Sequence, residues 1–157
     1  MKFHIVAIES KRPLWAKSAF ENYQQRFDQS IQVKWSGMKS NKNSKSLGKE
    51  KLMNEEGTKL LNSVNENSII VSLNKEEIGW SSLKLKQKFD QWLASSQEVF
   101  FLIGRSEGLS DKCLDSSNEI WSFSPLTLPH SIVPIILIEQ HYRTECGQLK
   151  KINPYHR

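Results

Sequence analysis

A mostly parallel α/β sheet covered by helices on both faces is the fold class that this 157-residue chain predicts. Three observations carry it. Short apolar runs such as Ile69–Leu73 and Val99–Ile103 read as buried strands. Stretches with apolar residues at helical spacing separate them, and strands alternating with helices pair in parallel. No linker, internal repeat or long low-complexity tract divides the chain, and its length suits one domain at about 100–200 residues each.

Taken in order, the run 3–8 is a first strand. It ends at Glu9 without a small-residue cleavage site, so it reads as structure rather than a signal peptide. Pro13 then stands where the first residue of a helix would, and Ala16, Phe20, Tyr23 and Phe27 follow at i, i+4, i+7 and i+11. Residues 31–35 form a second strand. Leu60, Leu61 and Val64 stripe a helix spanning about 50–64. Ile69–Leu73 is a third strand, and Ser81 or Ser82 caps a helix whose core face is Leu85, Phe89, Trp92 and Leu93. Val99–Ile103 runs directly into Gly104, and Ser110 caps a short helix beyond it. A last helix spans about 131–145, with Ile135, Ile138 and Tyr142 as its core stripe. In open parallel sheets ligands bind beyond the carboxyl ends of strands, which points to the loops after Leu73, Ile103 and Phe123.

Composition removes other classes. The apolar runs are far too short to span a bilayer. Cys113 and Cys146 are widely spaced and form no CxxC, which fits a reducing cytoplasm and argues against a disulfide scaffold or a zinc site. Twenty-two Lys plus Arg against 17 Asp plus Glu gives a net charge of +5. Much of the excess gathers over 34–51, where Lys34, Lys39, Lys42, Lys45, Lys49 and Lys51 face one acid, Glu50, with Ser, Asn and Gly between. Such a stretch is either a solvated loop or one that lies along phosphates.

Four constellations can carry chemistry. Gly104-Arg105-Ser106-Glu107-Gly108 follows a strand, so it is a plain strand-to-helix turn or a place where backbone approaches a ligand. Ser124-Pro125-Leu126-Thr127-Leu128-Pro129-His130 is a rigid loop. It reads an adenine edge with its main chain, or it is a corner whose His130 caps the next helix. Glu139 and Arg143 pair at i, i+4. The ending Asn153-Pro154-Tyr155-His156-Arg157 is a frayed terminus or an RNA clamp, with Tyr155 stacking on a base and Arg157 on a phosphate.

Together, Leu73, Ile103-Gly104 with Glu107-Gly108, Leu126-Thr127-Leu128-Pro129-His130, Glu139-Gln140-x-Tyr142-Arg143 and the terminal Pro154-Tyr155-His156-Arg157 closely resemble the ribosomal RNA large subunit methyltransferase H family. That family belongs to the SPOUT, or α/β-knot, methyltransferases. The resemblance runs the whole chain and rests on the order and spacing of motifs. It implies a C-terminal trefoil knot, an exception to the rule that chains avoid knots. It also implies bound S-adenosylmethionine (with S-adenosylhomocysteine as product), a cytoplasmic homodimer and no DNA or membrane partner. The implied reaction is N3-methylation of a pseudouridine in helix 69 of 23S rRNA, in the large subunit or the assembled 70S ribosome.

On this sequence the family's cofactor positions are Leu73, Gly104, Phe123, Ser124, Pro125, Leu126, Thr127 and Leu128. Its catalytic positions are Arg143, Tyr155, His156 and Arg157, the tail (about 147–157) serving the partner's site. Lys39, Lys42 and Lys45 in the basic loop (about 36–51), with Arg105 and His130, are the expected RNA contacts. Three departures stand out. Arg105 replaces a glycine and either narrows the cofactor loop or points to RNA, Pro134 replaces an arginine, and the stretch 144–153 runs about two residues long. A noncatalytic RNA- or ribosome-binding module of the same fold, or a methyltransferase acting on another RNA such as tRNA, are the competing readings.

Overall fold

Strand pairing follows the apolar runs closely. The computed structural model describes residues 1–40, 46, 48–105, 108–124 and 126–149. Five strands, β1 (Lys2–Ile8), β2 (Gln32–Met38), β3 (Ile69–Leu73), β4 (Val99–Ile103) and β5 (Glu119–Trp121), form one sheet in the order β2-β1-β4-β3-β5. Every pairing is parallel. The helices α1 (Leu14–Gln24), α2 (Lys49–Asn62), α3 (Ser82–Ser95), α4 (Asp111–Asp115) and α5 (Val133–Leu149) connect them.

Side chains alternate across a strand, so each run feeds two layers. Phe3, Ile5, Ala7, Val99, Phe101 and Ile103 face the layer that holds α1, α3 and α5. Val6, Ile8, Phe100 and Leu102 face the opposite layer, with Leu60 of α2 and Cys113 of α4. All five residues of β4 are buried, which is why its sequence shows no polar alternation. Burying one such side chain contributes roughly 1.5–3 kcal/mol, so this central strand anchors both layers.

Several boundaries shift, each for a local reason. Pro13 is the N-cap of α1, extended at φ −60° and ψ 146°, and Leu14 rather than Pro13 opens the helix. Phe27 lies beyond that helix, after tight turns from Arg26 N–H to the Tyr23 carbonyl and Phe27 N–H to the Gln24 carbonyl. β2 runs on to Met38 because it pairs with β1 in continuous register through Ile8 and Met38. Lys34 therefore sits on a strand and Lys49 and Lys51 on α2, which shortens the basic loop. β5 stops at Trp121, before Phe123.

The core stripe of α5 keeps Ile138 as expected and shifts at its other positions. Leu137, Ile138, His141, Thr144 and Glu145 are buried, while Ile135 and Tyr142 are half-buried. Tyr142 instead meets Tyr23 and Phe27 sideways, with ring centroids 6.1 and 5.7 Å apart. The core needs a face aimed between α1 and α3, and His141 fills it inside a cage of aromatic rings. Its ring centroid is 5.0 Å from Phe3 and 4.9 Å from Phe101. Pro134 sits in the first turn of α5, where helix N–H groups have no intrahelical acceptor and its missing donor costs little.

Candidate active site

Register brings three strand ends to one level: Leu73 pairs with Ile103 on one side and with Trp121 on the other. The loops that leave β3, β4 and β5 therefore meet above the sheet. Backbone bonds lock two of them together. Asn74 N–H donates to the Trp121 carbonyl at 2.9 Å and Ser122 N–H to the Ile78 carbonyl at 3.3 Å. The Ser122 hydroxyl donates to the Lys75 carbonyl at 3.1 Å, and Lys75 Nζ donates to Thr127 Oγ1 at 2.7 Å.

Between these loops lies an open cleft. Leu73 and Gly104 line it, as do Phe123, Ser124, Leu126, Thr127 and Leu128. Those are all the expected cofactor positions that lie among the described residues; Pro125 lies outside them. Leu126 is 71% exposed and lines the cleft. Leu126 N–H is held by Ser124 Oγ at 3.0 Å.

The turn after β4 is shaped by two glycines. A methyl group on Gly104 would come within 2.6 Å of the Gly108 carbonyl oxygen and 2.9 Å of Leu109 Cδ2. Gly108 adopts φ +97°, a left-handed conformation that other residues resist. Gly108 N–H donates to the Arg105 carbonyl at 2.8 Å and closes the turn. Behind it, the Ser110 hydroxyl caps α4 by accepting from Cys113 N–H, and burial pushes the Cys113 thiol up from its ordinary range.

Arg105 turns aside. Its Nε lies 2.8 Å from Glu56 Oε1 on α2, a carboxylate only 6% exposed that also accepts from Ser40 Oγ at 2.6 Å. The Arg105 side chain remains 37% exposed and borders the cleft, as does His130. His130 does not cap the last helix: α5 starts at Val133, and the imidazole makes no hydrogen bond among the described residues.

The remaining expected positions fall elsewhere. Arg143 pairs with Glu139, Nε to Oε1 at 3.0 Å, and does not line the cleft. At about 1.5 Å of rise per residue it stands roughly 15 Å along α5 from Val133, which does. Lys39 is exposed just past β2, and its carbonyl accepts from Lys59 Nζ at 3.0 Å. Lys42, Lys45, Tyr155, His156 and Arg157 lie outside the described residues.

Sequence reasoning missed Asn74, Lys75 and Trp121 in the cleft and Glu56 behind it. Asn74 and Lys75 follow β3 directly, so the strand-end rule could have found them. Glu56 gave no signal, because a glutamate on an amphipathic helix ordinarily faces water.

Chemically, the cleft offers apolar walls, backbone groups of an irregular loop and one ammonium, with no carboxylate among its described lining residues. Such a lining suits a nucleoside-like molecule with an anionic end. Among the described residues no group of His, Cys, Asp and Glu is arranged to hold a metal, and no helix is long and apolar enough to cross a membrane.

Comparison with known proteins agrees on one family. The sequence model of the family described as "Predicted SPOUT methyltransferase" matches residues 1–156. The chain is similar to the ribosomal RNA large subunit methyltransferase H of Hahella chejuensis (strain KCTC 2396), 33% identical over 100% of this chain and 99% of the relative. It is likewise similar to the ribosomal RNA large subunit methyltransferase H of Thioalkalivibrio sulfidiphilus (strain HL-EbGR7), 30% identical over 100% and 99%. With a family match along nearly its whole length and rRNA-modifying relatives covering all of it, the chain belongs to the SPOUT methyltransferases.

Proposed function

We propose that this protein transfers a methyl group from S-adenosylmethionine to N3 of a pseudouridine in helix 69 of 23S rRNA, on the large subunit or the assembled 70S ribosome. It acts as a cytoplasmic homodimer, one methyltransferase domain per chain with a C-terminal trefoil knot. The observation that carries this reading is the convergence of Leu73, Gly104 and the described residues of the loop 123–128 on one cleft.

The lining of the cleft fits the cofactor in chemistry. Leu126 and Leu128 would hold the adenine ring, main-chain groups of the same loop would meet its polar edge, and Lys75 would hold the carboxylate end. When bound, S-adenosylmethionine supplies a methyl group already activated as a sulfonium. The chain must then align the target nitrogen, exclude water and disperse negative charge as the imide proton leaves. Arg143 or Arg157 stabilises the developing anionic ring, and His156 or Tyr155 positions or deprotonates it. Arg143 lies about 15 Å along α5 from the cleft, so these groups serve a composite site in which the partner chain supplies them.

Mass mapping of helix 69 from a strain lacking the gene is the decisive experiment. Loss of the methylpseudouridine, restored by the wild-type gene and not by Arg143→Ala or His156→Ala, is the expected result. A methylpseudouridine that persists in the deletion strain ends the proposal.

A further inference from the structure

A second cleft opens beside the first, at the carboxyl end of β1. Ala7 pairs with Ile103, so the β1 end stands next to the Gly104 turn. Ser10, Lys11, Ser40 and Ser131 line this cleft. Arg105 and His130 line both clefts and so make the partition between them.

The described acids near this cleft, Glu9 and Glu56, are already engaged. Glu9 holds Arg12 at 2.7 Å, and Glu56 holds Arg105 at 2.8 Å. Lys11 has no partner among the described residues and leaves the cleft attractive to a phosphate-bearing ligand. His130 is the unusual member. Its Nδ1 is sealed from solvent with no hydrogen-bond partner among the described residues, so Nε2 is the nitrogen that a ligand can reach. A proton on Nδ1 would bury an N–H with no acceptor, which is costlier than an unused lone pair. The neutral ring therefore carries its proton on Nε2, as a donor facing the clefts.

Resting on the methyltransferase reading above, we infer that this second cleft receives the target base and that His130 Nε2–H donates to one of its carbonyl oxygens. A uracil-type ring flanks N3 with two carbonyls, whereas an amino group in place of either oxygen would meet a donor with a donor. In the reaction the N3 proton passes to the base proposed above, the N3 lone pair forms the bond to the methyl carbon, and the methyl–sulfur pair returns to sulfur. His130 gains and loses no proton. It strengthens its hydrogen bond as charge spreads onto the oxygen, and Lys11 steadies the nucleotide's phosphate.

Four measurements on the full chain test this. His130→Ala lowers kcat on unmodified 70S ribosomes about 100-fold, the usual scale for a lost oxyanion donor, while calorimetric affinity for S-adenosylmethionine stays within about threefold. His130→Gln, whose amide still donates, recovers about tenfold of the loss and keeps the wild-type pH–rate profile. Lys11→Ala raises KM about fivefold with kcat retained. Imidazole nitrogen NMR of the ligand-free protein finds the His130 proton on Nε2. An unchanged kcat in His130→Ala, a cofactor affinity that falls in step with kcat, or a proton on Nδ1 overturns the inference. If wild type itself transfers no methyl to helix 69, the function proposed above falls and takes this inference with it. An active wild type with an unaffected His130→Ala sinks the inference alone.

Discussion

Acid unfolding of this protein has a specific source in His141. The imidazole is 1% exposed, its Nδ1–H donates to the Leu137 carbonyl at 2.7 Å, and its Nε2 is buried with no partner. Burial pushes its pKa down from 6.5 to about 4, with the Leu137 hydrogen bond only partly opposing. Between those two values the unfolded chain binds a proton that the folded chain refuses. Stability from this group is therefore complete above about pH 7 and falls as the pH drops. Linkage gives a loss of about 2 kcal/mol by pH 5 and about 3 kcal/mol by pH 4.

Urea denaturation followed by tryptophan fluorescence at about pH 7.5, 6 and 5 measures this. A companion His141→Leu variant, close in volume and unable to titrate, separates His141 from every other group. Wild type should lose about 2 kcal/mol more than the variant over that interval. Parallel stability curves for the two proteins would refute the reasoning, because they would mean that the proton enters the aromatic cage without penalty.

Three further outcomes follow from the site. Gly104→Ala forces a methyl against the Gly108 carbonyl and should cost about 1–3 kcal/mol by urea denaturation, with weaker S-adenosylmethionine binding by calorimetry. Lys75→Ala should weaken that binding about tenfold while moving the thermal midpoint by no more than about 2 °C, since the ammonium contact is a surface one. Glu56→Gln strips Arg105 of its counter-charge and should cost about 1–2 kcal/mol by the same denaturation assay. That is less than for a fully buried pair, because Arg105 is 37% exposed.

Legibility followed periodicity. β3 and β4 were readable to the residue because an uninterrupted apolar run bounded by polar residues admits little else. β2 was read short, since Ser36-Gly37-Met38 carries no strand signal and is ordered by pairing with β1, a long-range effect. On α5 the expected stripe holds at Ile138, and His141 joins it without any apolar signal in the sequence, because only its cage of rings makes it core. At the site, the loops after β3, β4 and β5 were legible from topology and motif order. The Glu56–Arg105 pair was not, because it joins residues far apart in sequence with no pattern between them. The distance from Arg143 to the cleft likewise required the helix direction, which no spacing rule supplies.

The sheet order has one more consequence, for association. β2 and β5 are the two outer strands among the described residues, and outer edges are the places where another chain's backbone can add on. β5 offers three residues, and β2 carries exposed Lys34 midway along its length. Short edges and an edge lysine both disfavour strand addition, so these outer strands guard the protein against open-ended sheet growth. The homodimer proposed above therefore calls for contacts by side chains of helices and loops, a closed patch rather than an added strand.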